Sequence, residues 1–385
     1  MRVEPPVPAR ALAAIRDALA SAGGEPIDAP ILQPLNLLLD LAGEAMRARL
    51  FVVQAEGGEE ACLRPDFTVA VARKHIERGA EAGRYIYEGP AFRASPGGDR
   101  PEEFVQLGIE RFAPVGARVG AGAGTVEADA EITALAWRAA VAGGRGDLTL
   151  WLGDVGLFSA FIESLALPPT VAARLKRVAG RPRLLNAELA RAGEGVAPSR
   201  SGQLTKTLAG LSESQAAAML EEVWALAGVE PVGGRGPGEI AQRLVRRAEA
   251  ASAPALMPAQ ATAIRAFMAI SDAPAAGVKQ VRALAGKAQA RDGALDAALG
   301  DWDARLARLT EIPADRMRFS PALGHAFDYY DGLTFEVLSE ALGADRPVAS
   351  GGRYDGLLAR LGGSADASAV GLMVRPWRAY AGGEA

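Results

Sequence analysis

Residues 84–113, RYIYEGPAFRASPGGDRPEEFVQLGIERFA, carry the clearest β signal in the chain. Two extended runs, Arg84–Ala94 and Glu103–Ala113, flank Ser-Pro-Gly-Gly-Asp-Arg-Pro at 95–101, which predicts a long hairpin with a Gly/Pro loop. Side chains alternate along a strand with period two. On the second strand Val105, Leu107 and Ile109 share one face, while Phe104, Gln106, Gly108 and Glu110 share the other. A Gln and a Glu separated by Gly make a small polar recess. The run Phe327–Leu338 repeats the pattern, with Asp328, Tyr330, Gly332, Thr334 and Glu336 opposite Phe327, Tyr329, Leu333, Phe335 and Val337. Alternation alone favours a solvated face of an antiparallel sheet. The two glycines within the polar faces point instead to a cleft, because strand glycine marks close approach of a ligand or backbone.

Working outward, Pro8–Ala22, Asn36–Ala48, Asp66–Arg78 and Glu127–Ala142 read as helices, and Leu50–Val53, Ala61–Leu63 and Leu148–Leu152 as strands. From about Gly156 to Leu309 the chain is rich in Ala, Leu and Arg without a convincing strand. Strands resume at Phe319, Phe327–Leu338 and Pro347–Gly351, then a helix at Tyr354–Leu361 and a strand at Val370–Val374. The order predicts an α/β (α+β) fold: an antiparallel sheet flanked by helices and interrupted by a mainly helical insertion. The expected divisions are 1–158, 159–310 and 311–385.

Composition narrows the chemistry. Among 385 residues, Cys62 is the single cysteine, and His75 and His325 are the only histidines. An intramolecular disulfide, a multi-thiolate zinc site and a three-histidine metal site are excluded, and no metal is expected. Lys plus Arg is 42 and Asp plus Glu 46, a net charge of −4, so a domain-wide basic footprint for nucleic acid is absent. No signal-like N-terminus or long apolar run is evident, which predicts a cytoplasmic protein without a membrane segment. Phosphate-binding and dinucleotide-binding glycine loops and a nucleophile elbow are absent. Cys62 and His75 read as structural.

Four ordered segments together resemble the catalytic core of class II aminoacyl-tRNA synthetases, specifically the histidyl enzyme. Leu63–Thr68 resembles its Leu-Arg-Pro-Glu-x-Thr, and Tyr85–Glu110 its motif 2. Asp328-Tyr329-Tyr330 with Phe335-Glu336 resembles its histidine-specific segment, and Gly351–Leu357 its Gly-Gly-Arg-Tyr-Asp-Gly-Leu. Pro30 sits where motif 1 has its dimer-interface proline. The resemblance implies a histidine pocket made of Asp66, Thr68, Arg93, Gln106, Glu110, Tyr330 and Tyr354.

The catalytic positions depart from that family. Ser95 stands in place of a motif 2 glutamate, and Glu102 in place of a loop arginine, a charge inversion where phosphate would lie. His325 replaces the catalytic arginine, and Arg375 and Trp377 replace the Gly and Glu of motif 3, whose arginine is kept as Arg378; Arg100 is also retained. No room is expected for an anticodon-binding domain. A pocket kept beside an eroded ATP site resembles the regulatory-subunit family of ATP phosphoribosyltransferase. That resemblance implies a non-catalytic chain without cofactor that dimerises through its core, partners the short catalytic subunit in the first step of histidine biosynthesis, and transmits feedback by histidine. The alternatives are a truncated ligase forming an aminoacyl-adenylate, which Arg93, Arg100 and Arg378 keep open, and a scaffold with a vestigial pocket.

Overall fold

The computed structural model describes residues 2–42, 44–54, 58, 60–98, 100–113, 123–190, 192, 215, 218–219, 222, 256–287, 293–323 and 329–383. The chain forms two compact units. One is Met1–Phe161 with Phe267–Lys287 and Arg291–Ala385; the other is Ile162–Ala266 with Ala288–Ala290. The helices Pro274–Lys287 and Gly293–Leu306, which the sequence reading places in the helical segment, thus group with the sheet-bearing unit.

That unit is built on an eight-stranded sheet. Its strands are β1 (Glu25–Pro26), β5 (Gly83–Phe92), β6 (Glu103–Ala113), β7 (Leu148–Asp154), β8 (Met317–Phe319), β9 (Leu333–Ser339), β10 (Ala349–Arg353) and β11 (Ser368–Val374). The order across the sheet is β1-β5-β6-β11-β10-β9-β7-β8. Only β1–β5 and β7–β8 run parallel. A separate three-stranded sheet has β4 (Glu60–Leu63) between β2 (Leu32–Pro34) and β3 (Val52–Gln54). The hairpin pairs Gly83 with Phe112 through Phe92 with Glu103, as its alternation predicts.

Register decides which residues share a face. Leu107 and Ile109 lie with Leu372, Val374, Phe335, Val337, Leu150 and Leu152, all buried. Helix Ala123–Ala142 covers this side, fixed by ion pairs from Arg111 and Arg353 to its Glu131 and Asp129. The opposite face carries Gln106, Gly108, Glu110, Gly371, Met373, Ser350, Gly352, Thr334 and Glu336. Helix Thr68–Glu77 meets this second face, where Thr68 bonds Glu110. The face is not solvated: Gln106 is 0% and Glu110 1% exposed. The two glycines do not themselves open a cleft: Gly108 makes room for Tyr87 and the Leu372 carbonyl, and Gly332 precedes β9 and lies against Arg353.

One predicted strand is shorter than expected. Residues 324–328 lie outside the described set, and β9 begins only at Leu333. Before it, Asp331 leaves the ladder. Its backbone N–H donates to Arg353, and its carboxylate accepts from the backbone N–H groups of Asp355 and Gly356. Tyr329 and Tyr330 therefore do not alternate between faces, and their rings sit 4.8 Å apart.

Behind the sheet lies a buried charge cluster. Asp129 accepts from Arg305 Nε at 2.8 Å and from Arg353 Nε and Nη2 at 2.9 and 2.6 Å. Asp154 accepts from Trp302 Nε1 at 2.8 Å, with Arg305 Nη1 3.7 Å away. Arg353 also bonds Asp355 at 3.0 Å. The cluster joins helices Ala123–Ala142 and Gly293–Leu306 to β10. His75 stacks on Phe112 with centroids 4.2 Å apart, its Nδ1 3.0 Å from the Tyr85 hydroxyl, and burial lowers its pKa. Cys62 is buried and its thiol is pushed up to about 11 by burial, so it is unreactive.

In the second unit, helices Pro169–Val178 and Pro182–Ala190 bury Val171, Leu175, Leu185 and Leu189 and share the Arg174–Glu188 ion pair at 2.8 Å. Among the described residues, no helix is long and apolar enough to cross a membrane, and no cluster of potential metal ligands occurs.

Candidate functional site

A cavity of about 740 Å³ opens over the polar face of the sheet. Its walls come from the 64–68 turn, the hairpin loop after β5, the Tyr329–Tyr330 turn and the start of the segment after β11. The Arg64 guanidinium ties the 64–68 turn to β5 and to the segment before β2. It donates from Nε to the Pro90 carbonyl at 2.8 Å and from Nη1 to the Ala29 carbonyl, and lies 3.8 Å over the Phe67 ring.

Small residues make room for the polar side chains. Tyr87 lies over Gly108 and donates to the Leu372 carbonyl at 3.1 Å. The carboxylate of Glu110 lies over Gly371, where any Cβ would fall on Oε2. Strand glycine here serves close approach of a side chain rather than backbone freedom.

Glu110 is the centre of a buried polar cluster on this face of the sheet. Thr68 donates to its Oε1 at 2.8 Å and the Tyr354 hydroxyl donates to Oε2. Burial outweighs these bonds and pushes its pKa up to about 8. Asp66, pushed up chiefly by burial, lies nearby, with Arg93 Nη2 at 4.0 Å from its Oδ2. Its Oδ1 has no hydrogen-bond partner among the described residues; the Gln106 amide nitrogen and oxygen likewise have none. Buried polar atoms without partners are costly unless something else satisfies them. The Tyr330 and Tyr354 rings stand edge to face at 6.3 Å.

The Glu110 shift makes a pH prediction. Between the unfolded carboxyl pKa near 4.5 and the folded value of about 8, the native chain holds a proton that the unfolded chain has lost. Stability from this group is complete below the lower value and falls as pH rises through the window. Urea-melt midpoints should therefore decline less between pH 5 and 8 in Glu110→Gln than in the native chain; parallel slopes would contradict the assignment.

One half of the cavity is cationic. Arg49, Arg93, Arg100, Arg375 and Arg378 line it, with the carboxyl groups of Asp66, Glu336 and Asp345. Arg375 pairs with Glu4, lies 3.5 Å over the Phe104 ring, and is pushed down to about 9 by burial and then by Arg378. Burial also pushes Arg378, which donates to the Pro347 carbonyl at 3.0 Å, down to about 10. Arg100 pairs with Asp345. Burial raises Glu336 to about 7.

Of the residues expected at the pocket, Asp66, Thr68, Arg93 and Tyr330 line the cavity. Tyr354 lies beneath, bonded to Glu110, and Gln106 shares the sheet face of Glu110. Ser95 and Arg375 line the cavity, whereas Trp377 packs near Tyr380 with centroids 6.2 Å apart. His325 lies outside the described residues. The Glu102 carboxylate accepts from the backbone N–H groups of Arg2 at 3.2 Å and Ser95 at 3.4 Å. Arg49 and Glu4 were not foreseen. Arg49 ends a short 3-10 helix and Glu4 arrives from a distant segment, so neither carries a local signal. Glu336 was marked by its strand face, and Tyr329 was assigned to the wrong one.

Comparison with known proteins agrees with this architecture. The family model described as histidyl-tRNA synthetase matches residues 8–232 and 238–376. An ATP phosphoribosyltransferase regulatory subunit from Chelativorans sp. is 35% identical over 352 residues, covering 90% of each chain. A protein of the same description from Mesorhizobium japonicum is 37% identical over 364 residues, again covering 90% of each. Among solved structures, an ATP phosphoribosyltransferase regulatory subunit/histidyl-tRNA synthetase from Bacillus halodurans superposes with a TM-score of 0.64 at 20% identity, over 97% of this chain and 78% of its own. A histidine–tRNA ligase subunit from Alicyclobacillus acidocaldarius gives 0.52 at 22% identity, over 98% and 95%. The solved structures bear on the fold and the sequence relatives on descent. The chain belongs to the family of ATP phosphoribosyltransferase regulatory subunits, built on the histidyl-tRNA synthetase fold.

Proposed function

We propose that this chain activates a short-form catalytic ATP phosphoribosyltransferase and makes it sensitive to histidine, which binds the cavity beside Glu110. The observation that carries this reading is the convergence of Asp66, Thr68, Glu110 and Tyr354 on one buried, partly unsatisfied polar recess. In it, Asp66 would hold the α-ammonium, Gln106 would reach the carboxylate, and Tyr330 and Tyr354 would frame the imidazole. Histidine would shift the complex by binding one of its states more tightly.

Calorimetric titration of histidine into the complex with the catalytic subunit is expected to show saturable binding. Binding and feedback should both be lost in Glu110→Ala, with basal activity of the complex retained. Absence of binding removes the sensor role, and full, feedback-inhibited transferase activity without this chain removes the whole reading. Histidine-dependent exchange of pyrophosphate into ATP would instead support the ligase alternative.

A second copy of the chain is the proposed occupant of the three-stranded sheet. Leu32, Pro34, Val53, Ala61 and Leu63 share one apolar face, with Leu32 53% and Val53 38% exposed. Apolar patches of this kind mark interaction sites. A monomer in sedimentation of the isolated chain would remove this part.

A further inference from the structure

We propose that Asp331 is a positioning residue, tying the Tyr329–Tyr330 turn to Tyr354 so that three aromatic rings hold one arrangement around the polar recess. The role rests on the histidine reading, in which the Tyr330 and Tyr354 rings frame an imidazole. Asp331 itself does not line the cavity. The tie begins with a helix that does not cap itself. Helix Asp355–Arg360 has Tyr354 at its N-cap, a position where Ser, Thr, Asp or Asn side chains accept from the first free amides. Tyr354 makes no such bond, and its hydroxyl is committed to Glu110. Asp331 supplies the acceptor from 24 residues upstream. Its Oδ1 takes the Asp355 N–H at 3.0 Å and its Oδ2 the Gly356 N–H at 2.5 Å, while its own N–H donates to the Arg353 carbonyl at 3.0 Å.

The far end of the tie is rigid. Arg353 bonds Asp129 and Asp355. The Tyr354 N–H donates to the Ala369 carbonyl at 2.9 Å, and Asp355 Oδ1 accepts from the Ala369 N–H at 2.8 Å. Residues 353–355 are thus locked to β11 and to helix Ala123–Ala142, and Asp331 locks the turn to them. The turn carries the rings. Tyr330 lies over Gly352, where a Cβ would fall 2.7 Å from its Cδ1. Tyr329 hydrogen-bonds the Asp66 carboxyl. The Tyr329 and Tyr330 rings stand 6.0 and 6.3 Å from that of Tyr354. Each acid of the recess, Asp66 and Glu110, therefore bonds a tyrosine, and Asp331 fixes the spacing of the two tyrosines. Asp331 is exposed, so replacing it leaves neither a cavity nor a buried charge. A change in ligand affinity then reports the tie.

The test compares Asp331→Ala, Asp331→Asn and Tyr330→Leu in the complex with the catalytic subunit. Asp331→Ala is expected to weaken calorimetric histidine binding at least about fivefold, the usual consequence of losing one hydrogen bond. Asp331→Asn, whose amide oxygen still accepts, should bind within about twofold of the native chain. Adding Asp331→Ala to Tyr330→Leu should change affinity less than about twofold, since a residue acting through the ring has nothing left to act on. A purely structural cap gives losses that multiply, and that result overturns the proposal. Near-UV circular dichroism of the ligand-free chain is the second arm. The tyrosine band should weaken in Asp331→Ala and return in Asp331→Asn, with the far-UV signal unchanged. If the native complex does not bind histidine, the histidine reading falls and this band still decides the role of Asp331. A native band in Asp331→Ala, or a weakened one that Asp331→Asn does not restore, overturns the proposal.

Discussion

Asp129→Ala is expected to destabilise the sheet-bearing unit by about 3–5 kcal/mol, among the largest effects of any single substitution in this chain. Asp129 is fully buried and accepts three hydrogen bonds from two guanidinium groups, Arg305 and Arg353. Without it, Arg353 retains Asp355 and Arg305 retains Asp154 at 3.7 Å, leaving one carboxylate per cation in a water-poor interior. The cost lies in the stranded charge rather than in the worth of the native pair. Replacing Asp129, Arg305 and Arg353 together by apolar residues should therefore not recover the loss, because Asp154 and Asp355 are then left without their arginines. Urea denaturation of the single and triple variants checks both statements. A change under about 0.5 kcal/mol in Asp129→Ala, the size of an ordinary surface substitution, would contradict the first.

Gly371→Ala is the second large effect, and it falls on the site. The new Cβ would occupy the position of Glu110 Oε2. The backbone cannot retreat, because β11 is paired on both sides, with β6 and β10. The Glu110 carboxyl must move, breaking its bonds with Thr68 and Tyr354. The expected stability cost is about 1–3 kcal/mol, as for other overpacked interiors. Histidine affinity should fall at least about tenfold, since the recess loses its central group. Gly286→Ala is the control: its Cβ meets open space on an exposed helix position. Equal histidine binding by Gly371→Ala and the native chain would show that Glu110 does not contact the ligand.

Much of this architecture is legible from local pattern. The hairpin 84–113 shows itself because period-two alternation and a Gly/Pro loop are both short-range signals, and its strands fall at Gly83–Phe92 and Glu103–Ala113. The polar face of β6 could be seen in the sequence, but whether it met water could not. Burial depends on Thr68–Glu77 folding over it, a contact between distant segments. The turn at Tyr329–Asp331 was missed for a related reason. Its alternation continues that of β9, and only the pull of the Asp355 and Gly356 amides on Asp331 breaks the strand. The contacts of Glu102 with the Arg2 and Ser95 amides could not be read, because residue type gives charge but not direction. Arg49 and Glu4 come from segments with no motif, so the cationic half of the cavity was only partly visible before folding.

The place of β11 has a consequence for how this molecule comes into being. Residues 25–113 supply β1, β5 and β6, and residues 148–353 supply β7 to β10; only β11, residues 368–374, hydrogen-bonds to both groups. Before that strand arrives, the nascent chain carries two half-sheets with raw edges at β6 and β10, the geometry that invites wrong partners. Its insertion closes contacts between segments more than 250 residues apart, an entropically slow step. The same insertion brings Gly371 under Glu110 and Arg375 against Glu4. A chain that has emerged only as far as β10 therefore lacks one wall of the cavity, whose lining includes Gly371, Arg375 and Arg378.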